Sequence, residues 1–218
     1  MNQSLRKLHL YASCTALAAG ASMIIMIGIM TMYPEAITLR FEQVMSVDAY
    51  TTLLKTAETP LRLIMTIDHM FLIFALLTFL FVGSVIKNEE NKFLIYASLI
   101  PVFTTGYLDI FENHHIIMML NSVTQNIPIT QSDIQLQSIV SLVKFHGGNL
   151  NFLLLAFFIP SKTTLEKIFR YSLLFLLLPF SVIRYSYPEM PVSVMPFVPI
   201  AVGFLLASFI FYSRYKSS

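Results

Sequence analysis

The chain has 218 residues, 56% of them hydrophobic and 12% charged, with a formal net charge of +2. Soluble domains carry about 25% charged residues, so this is a membrane composition, one unit over residues 1–218 with no length left for a soluble domain of usual size. The near-neutral balance and the lack of a long basic cluster argue against a nucleic-acid partner, and a lone cysteine, Cys14, excludes an intrachain disulfide or a cysteine-based zinc site.

Arg6 and Lys7 precede an apolar run, Leu10–Met32. It is longer than the ~7–15 residues of a signal-peptide core, so it reads as a first membrane helix that is retained. Spanning a bilayer takes about 20 mostly apolar residues. Five further segments qualify: Leu63–Ile86, Phe93–Leu120, Gln137–Ile159, Ile168–Tyr185 and Val192–Tyr212. The fifth is short and interrupted by Pro179, whose freed carbonyl neighbouring helices can satisfy. The expected fold is therefore an all-α, polytopic integral membrane helix bundle with six transmembrane helices. Residues 33–62 make an outer loop too long for a plain connector. In it Ile37, Phe41, Val44, Met45, Leu53 and Leu54 recur at loosely helical spacing. That spacing fits an interfacial amphipathic helix or an ordered loop.

Lysine and arginine set the orientation, because they concentrate in cytoplasmic loops. With the N-terminus inside, Arg6, Lys7, Lys87, Lys92, Lys162, Lys167, Arg170, Arg214 and Lys216 face the cytoplasm. Only Arg40, Lys55, Arg62 and Arg184 face outward, and Lys144 lies within a span. Both termini are thus expected inside, in a multi-pass protein of the cell (plasma or inner) membrane. No internal repeat of the kind that builds many transporters is present.

Charged groups in a span are costly, about 2.5–3.5 kcal/mol each on insertion scales, so they usually face the bundle interior and find partners. At 100° per residue, Thr105, Asp109, Glu112 and Asn113 share one face of the third helix, flanked by His115. The fourth helix offers a matching stripe of Ser141, Lys144, Gly147, Gly148 and Asn151, in which the two glycines permit close approach; His146 turns away. The second helix adds Asp68 and His69. With 1.5 Å per residue, Asp109 lies about 22–24 Å from its cytoplasmic end, and Asp68 and Lys144 about 8–11 Å below the outer surface. The three sets thus meet in the outer half of the membrane.

Several carboxylates around one lysine leave an excess acid, which in a low dielectric calls for a held proton. Such groupings recur at functional sites. Asp109, Glu112 and Lys144 are accordingly the candidate catalytic groups, with Asp68, His69, Thr105, Asn113 and Asn151 as ligand-binding neighbours. A carboxylate would serve as general acid or base, and Lys144 would hold a negative group. No cofactor is expected. Glu112 and His115 have the Glu-x-x-His spacing of di-iron bundles, which makes them a metal alternative, but the second such motif is missing. The expected partners are membrane lipids and an amphipathic or lipid-like small molecule that the cavity binds or modifies. The alternatives are a small proton-linked transporter and an accessory subunit whose polar cluster is structural.

Overall fold

The computed structural model describes residues 3–87, 92–159, 162–177, 194 and 196–217. It is all-α, and the described residues include no strand. The helices are α1 (Gln3–Met32), α2 (Val47–Ile86), α3 (Lys92–Thr124), α4 (Gln131–Phe158), α5 (Thr164–Ser172), continued by a π-helical turn Leu173–Leu177, and α6 (Phe197–Lys216). All but α5 are long and apolar enough to cross a membrane. The Ile168–Tyr185 segment is described only to Leu177; Pro179 lies outside the described residues.

Small side chains make the central seam. Ala12, Ala16 and Ala19 are fully buried on α1, which packs along both α2 and α6. Ser13 Oγ donates to the Ser208 carbonyl at 2.9 Å, and Thr78 donates to Thr15 at 3.0 Å. A Cβ on Gly20 would stand 3.0 Å from Leu205 Cδ2, so α6 approaches here as closely as glycine allows. On the other side, α3 packs against α2 and α4, and the turn after α5 returns to α4, closing the bundle.

Helix ends differ from the limits of the apolar runs, chiefly at the end bearing residues 33–46. There α2 begins sixteen residues before Leu63, capped by Ser46, whose side chain accepts from the Ala49 N–H. Residues 47–62 are therefore neither loop nor separate interfacial helix. They are the first four turns of α2, with Tyr50, Leu54, Ala57 and Leu61 fully buried against α1, α3 and α4 side chains. The 33–46 segment folds back as two 3₁₀ turns, Pro34–Ala36 and Thr38–Arg40. It is held by Phe41, 1% exposed, whose carbonyl takes the Tyr50 hydroxyl at 3.0 Å.

The α3 helix likewise runs past Leu120, through Asn121 and Ser122, to Thr124. The chain then turns at Asn126, whose φ of 58° is a left-handed conformation that asparagine tolerates. Arg62, which also reaches Glu58, donates to Asn121 Oδ1 at 2.8 Å and ties α2 to α3. A capping box of Thr130 and Asp133 starts α4 six residues before Gln137. Hydropathy misses these turns because polar residues there are helical through caps and cross-helix bonds, not through apolarity. The extra length puts Asp68, Asp109 and Lys144 near the midpoints of their helices rather than close to one end.

At the opposite end, Glu166 caps α5 and takes Arg214 of α6, whose Nε donates at 3.1 Å. Burial opposes the Glu166 charge, but hydrogen bonds from Arg214 and from the Thr163 and Lys162 backbone outweigh it. The carboxyl stays below the usual glutamate range.

Candidate functional site

The third helix delivers Asp109 and Glu112 to α4 because they lie three residues apart, under one turn, on the face that α4 covers. Lys144 answers both. Its Nζ donates to Asp109 Oδ1 at 3.0 Å and stands 2.6 Å from Glu112 Oε2, a charge contact outside hydrogen-bond alignment. Glu112 is 3% exposed, whereas the Lys144 and Asp109 side chains keep 17% and 16%. One ammonium thus faces two carboxylates, of which Glu112 is the buried one.

Behind this pair, Asn113 Nδ2 donates to Asp68 Oδ2 at 2.5 Å, joining α3 to α2. Asp68 makes no ion pair with Lys144, so these sequence-derived candidates form two adjoining groups rather than one knot. Glu42, in the folded-back segment, lies within electrostatic reach of Asp68, Glu112 and Lys144. Sequence reasoning missed it, and no periodicity points to it; only the chain reversal anchored by Phe41 brings it near.

Thr105 sits opposite the glycines of α4. A Cβ on Gly147 would fall 2.7 Å from Thr105 Oγ1, closer than real contacts come, whereas one on Gly148 would meet Thr105 Cγ2 at an ordinary 3.7 Å. Gly147→Ala is therefore expected to cost about 1–3 kcal/mol by wedging α3 from α4. Thr105→Ala in the same chain should recover part of that loss. Unfolding of the purified protein in detergent measures both, and a neutral Gly147→Ala would mean the helices are not in contact there.

The histidines lie apart from the lysine. His69 Nδ1 donates to the Met65 carbonyl at 2.6 Å, and its ring meets His114 edge-on at 5.3 Å. Its Nε2 is buried without a partner. His115 Nδ1 donates to Gln137 Oε1 at 2.9 Å and stacks on Phe111. The Glu112 and His115 side chains of the Glu-x-x-His spacing thus go to different partners. Among the described residues no three metal-ligating side chains gather. His146 bonds its own helix at the Leu142 carbonyl and is exposed. Gln137, 0% exposed, was also missed, although its spacing to Ser141, Lys144, Gly148 and Asn151 extends the α4 stripe by a turn.

A cavity of about 200 Å³ opens beside the ion pair, between α2, α3, α4 and the start of α6. Asp109, Lys144, Thr105 and Asn151 line it, among walls dominated by phenylalanine and leucine. The roughly 50 Å³ pocket near Glu166 and Arg214 is smaller and more apolar. Comparison with protein-family models, with curated proteins and with solved structures gives no match.

Proposed function

We propose that this is a multi-pass membrane protein with six spanning helices and both termini cytoplasmic, whose central cavity binds or modifies an amphipathic or lipid-like molecule. Five helices of spanning length and the lysine and arginine bias support the membrane assignment. So do the large apolar side chains exposed on the bundle's outside, such as Phe93, Ile100, Tyr107 and Phe157. The arrangement belongs to a cell membrane, with residues 33–46 on the outer side.

One observation carries the ligand reading: an apolar cavity whose wall is broken by Asp109, Lys144 and Asn151. Small-molecule sites combine a mostly apolar wall with a few convergent polar groups in this way. Asp109, which both lines the cavity and shares Lys144 with Glu112, is the natural group to give or take a proton there. Lys144, already facing two acids, has little to offer an anion. It serves instead to hold the acids in place.

Extraction of the purified protein and mass spectrometry of the extract tests this. The native chain should carry about one amphiphile per molecule, set apart from bulk lipid by its enrichment. Phe145→Trp, which adds volume to the wall, should deplete it. The same lipids at the same ratio in both proteins would overturn the reading.

A further inference from the structure

The charge of the bound molecule can be read from the wall. Lys144 faces two carboxylates, one acid more than its single charge can match, so the ion pair either holds a proton or takes a second cation. Asp109 Oδ1 is taken by the lysine, whereas its other oxygen has no hydrogen bond, and Asp109 borders the cavity. Two more unpartnered groups border it. Asn151 is 5% exposed, and its side chain makes no hydrogen bond with the described residues. Thr105 Oγ1 is buried and equally unpaired.

Six phenylalanines, Phe71, Phe79, Phe145, Phe152, Phe197 and Phe204, line the cavity among aliphatic side chains and prolines. Several are already arrayed around one another. Phe204 meets Phe71 edge-on at 5.5 Å and Phe79 at 6.1 Å, and Phe79 meets Phe152 at 6.1 Å.

We infer that the cavity takes a lipophilic ammonium ion, a protonated amine on an apolar body. The inference rests on the amphiphile reading above and adds the sign and chemistry of the head group. Each wall component favours that head group. The acid in excess of Lys144 must hold a proton or meet a cation, and a ligand ammonium supplies that cation. Asn151 Oδ1 accepts a hydrogen bond from an ammonium N–H, as does the spare Asp109 oxygen. Phenylalanine faces attract cations most strongly where water is excluded. The other head groups fare worse. An anion meets Asp109 while the Lys144 ammonium is turned to Asp109 and Glu112. A neutral alcohol satisfies Asn151 but leaves the acid excess as it was.

Titration calorimetry on the full-length protein in a nonionic detergent separates these cases, with octylammonium, octanol and octanoate as probes at pH 7. Octylammonium is expected to bind about tenfold tighter than either of the others. Asp109→Asn should erase that preference. Asn151→Leu, which keeps every charge, should weaken octylammonium by about threefold or more through the lost acceptor, so the test stands even if Asp109→Asn does not fold. Equal binding of all three probes by the native protein would overturn the ammonium inference and leave the amphiphile reading intact. No binding by any of them would overturn both. An ammonium preference that survives unchanged in the folded variants would place the cation elsewhere and overturn the inference.

Discussion

Replacing Lys144 with Met is expected to destabilise the bundle by about 3–5 kcal/mol, because it strands two carboxylates in a setting where neither can reach water freely. The structure gives the reason in distances: the ammonium lies 3.0 Å from Asp109 and 2.6 Å from Glu112, and Glu112 is 3% exposed. Methionine keeps much of the side chain's bulk, so the loss is one of charge and not of packing. The double variant Lys144→Met, Asp109→Asn should be less destabilised than the two single losses added together, by roughly 0.5–3 kcal/mol of coupling. Unfolding in detergent across the four proteins measures it. Additive losses would mean that the lysine and Asp109 are neighbours without being partners. The structural role and the proposed ligand-binding role of the cluster are not exclusive: a lysine that holds two acids near a cavity also fixes where any ligand would meet them.

Tyr50→Ala is the second large effect, expected to cost about 3–5 kcal/mol through the cavity it leaves. Tyr50 is 0% exposed, rests edge-on against Phe41 at 6.1 Å, and donates its hydroxyl to the Phe41 carbonyl at 3.0 Å. Removing it should also free the folded-back segment that carries Glu42 towards the cluster. Val44→Ala nearby is the control. Val44 is 57% exposed, and exposed substitutions of this kind usually stay within about 0.5 kcal/mol. If Tyr50→Ala were as mild as Val44→Ala, residues 33–62 would behave as a surface loop after all. A severe loss would place them in the core, where the fully buried Leu54 and Leu61 also sit.

The boundary between what can be read in one dimension and what cannot runs through particular residues. Long apolar runs announced the helices, and the all-α bundle follows from them, because a backbone that cannot turn to water must bond to itself. Helical spacing put Asp109 and Glu112 on one face of α3, and Lys144 with Gly147, Gly148 and Asn151 on one face of α4. Where helices begin and end was less legible. The polar residues at 47–62, 121–124 and 131–136 are helical because Ser46 and Thr130 cap them and Arg62 reaches Asn121, none of which hydropathy measures.

Sequence alone therefore determined which side chains each helix presents together, since 100° per residue is a property of the helix itself. Only the tertiary structure decided who meets whom. Asn113 bonds Asp68, His115 bonds Gln137, Glu166 takes Arg214, and Glu42 arrives from the folded-back segment. Those pairings depend on how far each helix is rotated about its axis and slid along its neighbour. That is set by small residues such as Gly147 against Thr105, through contacts between segments distant in the chain. The cavity beside Asp109 is the space such packing leaves unfilled, and no single segment encodes it.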